Sequence, residues 1–366
     1  RPGEKCPPWT IQANKMLHDK KKKTIYYDNA VLKIYDLPIF YFPKLSHPDP
    51  SVERRSGFLP PSFSDSKNLG PGFETPYYWD LGMDKDLTLT TKLFSSENPL
   101  FLGEYRQAFN QSNLVSNFGY TEGYKKINEN KIAGSKYHFF SNFIKKFKNK
   151  KGADNEFKFN IQRVSNKKYL KLYKIKDDLI NYEDDTLENS LSFAHEDEDL
   201  FFGIKASAYE DLTENNKNDE YEYILPDIIL DKNLFSSSKY GYADLQSNIV
   251  FHNYETNKFT KFFVNDIDWK YNQINYPSGI KGRLLGKLKN VNYEAKNTSV
   301  YKSDTTNELF GAVGYLAEIN LFKKMRDNAA HLLTPKMLLR YAPGHMRKET
   351  ENTRLNHSNV FKLDRL

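Results

Sequence analysis

Asp86-Leu87-Thr88-Leu89-Thr90-Thr91-Lys92-Leu93 decides the fold. Leu87, Leu89, Thr91 and Leu93 fall on one side of this run, and Asp86, Thr88, Thr90 and Lys92 on the other. Side chains of a β-strand point alternately to opposite faces, so the run is a strand with one greasy and one wet face. The same period sets Phe157, Phe159 and Ile161 against Lys158, Asn160 and Gln162. It sets Ile204, Ala206 and Ala208 against Lys205 and Ser207. It sets Val313, Tyr315, Ala317, Ile319 and Leu321 against Gly314, Glu318 and Asn320. Turn-forming clusters separate the runs at Met83-Asp84-Lys85, Ser96-Glu97-Asn98-Pro99, Gln111-Ser112-Asn113, 149–154 and 214–219.

From Phe73 to Tyr341 the pattern is therefore one of repeated hairpins. It predicts roughly a dozen to sixteen strands, each near the 9–11 residues of a tilted transmembrane strand. Strands of water-soluble proteins average about 5–6 residues. Length favours an all-β barrel in a membrane. Long soluble sheets, as in fibre or lectin proteins, share the alternation and stay open as an alternative.

Composition agrees. Aromatic residues make up 15% of the 366 residues, which excludes disorder for most of the chain. No run approaches the roughly 18–20 apolar residues of a membrane-spanning helix, whereas barrel strands are only half apolar. The 54 basic and 47 acidic residues leave a net charge of +7, a weak bias toward anionic partners that does not argue for nucleic acid. The single cysteine, Cys6, excludes a disulfide scaffold or a multi-cysteine metal site within this stretch. The chain begins Arg1-Pro2 and reads as an internal fragment of a longer protein, so the lack of a targeting signal is uninformative.

Before the hairpins, Trp9, Ile11 and Ala13 alternate with Thr10, Gln12 and Asn14, and Lys20 to Lys23 form a charged turn. Strand-like runs follow at Thr24 to Tyr27, Ala30 to Tyr35 and Ile39 to Phe42. Residues 1–45 read as the end of a small β-module. Residues 46–72 hold Pro48, Pro50, Pro60, Pro61 and Pro71 with Gly57, Gly70 and Gly72, and read as a stiff, irregular connector. Residues 73–366 are the hairpin region.

Chemistry-bearing motifs are sparse. His47-Pro48-Asp49-Pro50 puts an imidazole near a carboxylate, but the prolines fix a turn and no ligand spacing accompanies them. No P-loop, G-x-S-x-G or H-E-x-x-H occurs. A hydrolase built from distant residues, as in an outer-membrane lipase, stays open on motif grounds; the reading taken is of a non-enzyme without cofactor or metal. Acidic stretches at 177–178, 183–185 and 196–199 and the basic run 145–151 read as solvated loop ends. Two features carry more. Lys281, Arg283, Lys287 and Lys289 share one face of a strand, with Ile280, Leu284 and Leu288 on the other. That is either a lumenal cationic row that attracts phosphates or a solvated face balanced by acidic neighbours. Pro76-Tyr77-Tyr78-Trp79 reads as the opening of the first barrel strand, with interface-type aromatics behind a proline that removes a ladder donor.

Ile39-Phe40-Tyr41-Phe42-Pro43, His47-Pro48-Asp49-Pro50, Arg54-Arg55-Ser56-Gly57-Phe58-Leu59 and Pro76-Tyr77-Tyr78-Trp79 together resemble one family. It is the lipopolysaccharide-assembly outer-membrane proteins, LptD, also called organic solvent tolerance protein OstA. The resemblance is to the junction between that family's periplasmic jelly-roll and its barrel. Cys6-Pro7-Pro8-Trp9 and Ile25-Tyr26-Tyr27 fit the end of the jelly-roll, in a form like that of alphaproteobacteria. The motif stretch runs over residues 6–80. Beyond it, 166–170 and 333–336 sit where the family has comparable pieces.

The resemblance implies a bacterial outer-membrane protein with its N-terminal part in the periplasm. Residues 1–45 would be the C-terminal end of the jelly-roll, and 73–366 the N-terminal portion of an incomplete barrel. It implies lipopolysaccharide as cargo, leaving through a lateral seam near which Pro61 and Pro76 match two family prolines. It implies an LptE-like plug lipoprotein in the lumen and an LptA-like bridge protein at the jelly-roll. Cys6 would pair with a cysteine outside this stretch. A general diffusion porin and a soluble β-rich carbohydrate-binding protein or adhesin remain the competing expectations.

Overall fold

The computed structural model describes residues 9–34, 37–52, 54–123, 125, 134–213, 219–255, 257–324, 330–343 and 360–363. Among these residues it is all-β apart from one short helix. Two compact units divide it, Arg1–Tyr105 and Arg106–Leu366.

The first unit opens with a three-stranded antiparallel sheet of β1 (Trp9–Asp19), β2 (Thr24–Ile34) and β3 (Leu37–Pro48). The runs expected at Thr24 to Tyr27 and from Ala30 onward form one strand as far as Ile34; Tyr35 lies outside the described residues. Asn29 takes a left-handed φ of +53° between them, a conformation asparagine tolerates well. Ile11, Leu32 and Phe40 lie side by side on one face, as do Ala13, Ala30 and Phe42. The connector contains two short strands, β4 (Gly57–Phe58) and β5 (Ser62–Ser66). Both pair with β6 (Gly70–Gly82), whose other side pairs with β7 (Lys85–Phe94).

The chain passes from one unit to the other within β8 (Leu100–Phe109). The second unit is an antiparallel meander in sequence order. Its strands are β9 (Ser112–Thr121), β10 (Lys136–Lys148), β11 (Asp154–Val164), β12 (Thr186–Asp197), β13 (Leu200–Asp211), β14 (Tyr221–Ser237), β15 (Gly241–Tyr254) and β16 (Lys258–Lys270). β17 (Ile274–Asn275) is a stub on β18 (Ile280–Lys296), which joins β16 to β19 (Thr306–Ile319). β20 (Leu321–Lys324) and β21 (Ala330–Leu333) make a separate hairpin, and β22 (Lys336–Tyr341) pairs with β19. Strands from β9 to β19, leaving aside the stub β17, run 10 to 17 residues, well beyond the soluble average.

Register turns the alternation into continuous rows. Phe157, Phe193, Ile204, Ile228, Ile249 and Phe263 are successive cross-strand partners from β11 to β16. Leu284, Tyr315 and Leu339 continue the same face on β18, β19 and β22. These side chains are half exposed or exposed, and none is buried under a second sheet. Phe263, Leu284 and Leu339 are 42, 42 and 59% exposed. The opposite face carries Lys158, Ser192, Lys205 and Asp227 in one row and Asp231, Gln246, Asp266 and Lys289 in another.

The ends of the meander differ. Connections 149–153, 198–199 and 238–240 are tight turns at one end; 122–135, 165–185, 212–220 and 297–305 are longer and lie at the other. Residues 271–279 and 255–257 depart from this rule at their respective ends. The connection 165–185 folds back, and its helix α1 (Tyr169–Tyr173) buries Tyr169, Leu170 and Tyr173. The Tyr169 hydroxyl lies 3.2 Å from Nδ1 of the buried His138 on β10. A five-residue helix is too short to leave a 3.6-residue period in the sequence.

Candidate functional site

Three consecutive connector residues each reach a different place. The Arg54 guanidinium donates to the Tyr78 hydroxyl (2.9 Å), the Met83 carbonyl (2.7 Å), the Lys85 carbonyl (3.1 Å) and the Asp86 carboxylate (2.9 Å). Only arginine's rigid fork of donors spans such a set. Arg55 donates to the Thr24 hydroxyl at the start of β2 (2.5 Å). The Ser56 hydroxyl accepts the Asp80 backbone N–H (2.9 Å). The connector is thus riveted both to the first sheet and to the β6–β7 turn. Nearby, His47 accepts from the Tyr27 hydroxyl (2.7 Å) and donates to the Pro48 carbonyl (2.7 Å). His18 pairs with Asp49 at 2.5 Å. The Ser51 backbone N–H, 2.8 Å from Asp49, holds that carboxyl below its ordinary pKa of 3.8.

Prolines gather one step further on. Phe58 faces Tyr77 and Ser62 faces Glu74, so Leu59-Pro60-Pro61 stands opposite Thr75-Pro76, three residues against two. The ladder bulges there. The Leu59 N–H donates to the Pro76 carbonyl at 2.9 Å. In an antiparallel pair of this kind the return bond would come from residue 76, and proline has no N–H to give. Pro60 and Pro61 lack donors as well. The expectation that Pro76 opens its strand is corrected: β6 begins at Gly70, with neighbours on both sides. The glycine-rich 70–72 stretch enters the sheet because strand pairing is a backbone property that composition underrates.

The aromatics behind Pro76 divide between faces. Tyr77 and Trp79 lie with Leu89 and Leu87 on the apolar face, where Phe58 packs edge-on to Tyr77 at 5.1 Å. Phe58 is 76% exposed and Trp79 47%. Tyr78 lies on the wet face, held by Arg54.

The cationic row also divides. Lys287 stands directly across from Asp268 and Lys289 from Asp266. The Lys287 ammonium is 3.0 Å from Asp268 and 3.8 Å from Asp266; that of Lys289 is 3.6 Å from Asp266. Lys281 and Arg283 have no ion-pair partner among the described residues. Glu318, across from Lys281, is bonded to Lys336 at 3.2 Å. Half of the row is therefore neutralised and half is free to meet an outside anion. Cys6 lies outside the described residues. The roles of Arg54, Arg55 and Ser56 were not foreseen as site roles. Paired arginines in an otherwise irregular connector were the available signal.

No family model matches the chain. Curated relatives do. Over 115 residues it is 37% identical to the LPS-assembly protein LptD of Nitrosococcus oceani, covering 31% of this chain and 15% of that protein. The LptD of Shewanella denitrificans is 36% identical over 144 residues, covering 37% and 18%. That of Pseudomonas aeruginosa is 32% identical over 120 residues, covering 32% and 13%. This chain is LptD-like. Each match spans less than a fifth of the relative's length.

Proposed function

We propose that this chain is part of an outer-membrane translocon that takes lipopolysaccharide from the periplasm and releases it sideways into the outer leaflet. The apolar rows carry the reading: Phe157 through Phe263 offer water a broad greasy face with no second layer over it. Exposed apolar surface of that extent marks an interface or a membrane. Similarity to LptD proteins supports the cargo. Long connections at one end and tight turns at the other are the habit of outer-membrane barrels, whose long loops face outward.

In this reading residues 1–45 end a periplasmic jelly-roll, 46–72 connect, and 73–366 contribute the first portion of the barrel. An LptA-like bridge protein delivers to the jelly-roll, and an LptE-like lipoprotein fills the lumen. Cys6 bonds a cysteine elsewhere in the protein. Transport is not a catalysed reaction, and its driving force comes from elsewhere.

The physics favours a lateral exit. Acyl chains drawn through a wet lumen lose about 0.8 kcal/mol per CH₂ exposed. Sugar heads drawn through hydrocarbon cost several kcal/mol per unsatisfied polar group. A wall that parts lets each half stay in its own solvent. Each absent ladder bond lowers the opening cost by about 1 kcal/mol. Pro61 and Pro76 serve this role, with β4 and β5 as a short, interrupted first strand. Lys281 and Arg283 guide phosphorylated heads more than the neutralised Lys287 and Lys289 do.

The experiment is a Pro61→Ala/Pro76→Ala double variant scored for surface lipopolysaccharide. Reduced export is expected, and parental export at parental protein levels overturns the gate. Sedimentation as a monodisperse species without detergent would instead favour a soluble β-protein and overturn the membrane reading.

A further inference from the structure

A lateral row on the apolar face ends in a different chemistry. Tyr223, Asn253, Phe259 and Lys296 are successive cross-strand partners on β14, β15, β16 and β18. They line a depression of about 530 Å³ together with Tyr221, Asn297 and the ion-paired Lys258 and Glu255. The Tyr221 and Tyr223 rings are nearly parallel (21°) with centroids 6.4 Å apart, and are 43 and 39% exposed. Neither hydroxyl has a hydrogen-bond partner among the described residues, and the Asn253 amide is equally free. The Lys296 ammonium sits over the Phe259 ring at 5.0 Å, and its nearest carboxylate, Glu294, is 3.9 Å away.

We propose that this depression binds the phosphorylated saccharide headgroup of a glycolipid. The paired tyrosine faces suit the C–H face of a pyranose, since ring faces carry partial negative charge. Asn253 and the tyrosine hydroxyls supply donors and acceptors for sugar hydroxyls. Lys296 meets the phosphate as a point charge. Position completes the argument. The depression lies at the meander end that bears connections 212–220 and 297–305. Toward the strand centres come exposed Leu225 and Phe251, beside the Lys261–Glu294 ion pair (3.3 Å) in the same row, and Phe263 follows one row further, a surface for the acyl chains. This is a standing site on the outer wall, far along the strand order from the proline bulge. It rests on the membrane reading above. A generic aromatic girdle would account for the tyrosines; it gives no reason for sugar or phosphate selectivity.

The test uses the intact protein in detergent micelles with Tyr223→Leu, Lys296→Gln and, as a distant control, Lys145→Gln. Binding is measured to an acylated, phosphorylated glucosamine disaccharide, to its dephosphorylated form, to phosphatidylglycerol and to inorganic phosphate. Both site variants should weaken binding of the phosphorylated glycolipid at least fivefold and leave phosphatidylglycerol unchanged, with Lys145→Gln at parental affinity. Dephosphorylation should reproduce the Lys296→Gln loss. Equal losses for phosphatidylglycerol, or parental affinity in both variants, would overturn the site. Inorganic phosphate competing as well as the glycolipid would reduce it to an anion site and overturn the saccharide claim. A protein that still needs detergent in those cases loses only this inference; one that does not need it loses the membrane reading too.

Discussion

Arg54→Ala should uncouple the connector from the β6–β7 turn. The substitution deletes four hydrogen bonds, two of them to backbone carbonyls at the turn. Hydrogen bonds involving a charged partner contribute about 1.5–3 kcal/mol each, but those of one side chain do not add. Arg54 is 33% exposed, so water recovers part of the loss at the Met83 and Lys85 carbonyls. The Asp86 side chain is only 14% exposed and loses its charged partner while keeping the Tyr78 hydroxyl at 3.4 Å. The total expected is about 2–3 kcal/mol. Lysine reaches one partner at a time, so Arg54→Lys should recover less than half. Urea unfolding in micelles reads this directly, with Trp79 on β6 as a fluorescent reporter beside the turn. A double-mutant cycle with Asp86→Ala should show a coupling of about 1–2 kcal/mol. An Arg54→Ala variant within 0.5 kcal/mol of the parent by this assay, or a coupling of zero, would refute the rivet.

Ile249→Arg places a charge in the apolar row and should cost about 2–4 kcal/mol in folding into vesicles, while Val250→Arg on the opposite face should be near neutral. Lys287→Met leaves Asp266 and Asp268 side by side and should destabilise by about 2 kcal/mol in chemical denaturation, whereas Arg283→Met, with no ion partner among the described residues, should stay within about 0.5 kcal/mol. Gly241 has φ +78°, and an added Cβ would come within 2.1 Å of the Lys270 carbonyl oxygen; Gly241→Ala should lower the melting temperature much more than Gly152→Ala, where φ is +93° and no atom lies within 4 Å.

The fold was legible wherever one face differs chemically from the other. Leu87, Leu89 and Leu93 announce their strand because each is greasy at every second place. Gly57–Phe58 and Ser62–Ser66 announce nothing, because two or five residues held by backbone bonds carry no period. The gap between the runs at Thr24 to Tyr27 and from Ala30 is bridged in the fold, with Asn29 in a left-handed conformation inside β2. The cationic row was visible on β18. Its neutralising partners, Asp266 and Asp268, were not, because they meet it only through the register of β16. Arg54 was legible as part of a motif and not as a hub, since its acceptors include two carbonyls whose direction depends on a turn.

The unbroken lateral rows constrain how such a chain can change. One added or deleted residue inside β13, for example, would swing every later side chain of that strand to the wrong environment, trading Ile204 for Lys205 in the apolar file. Indels within strands are therefore tolerable in twos, or singly where a bulge absorbs the extra residue as between Lys205 and Ser207, while the 165–185 and 297–305 excursions can lengthen one residue at a time. Related proteins should keep strand parity and vary freely at a single rim, which makes that rim the natural place to graft tags or epitopes.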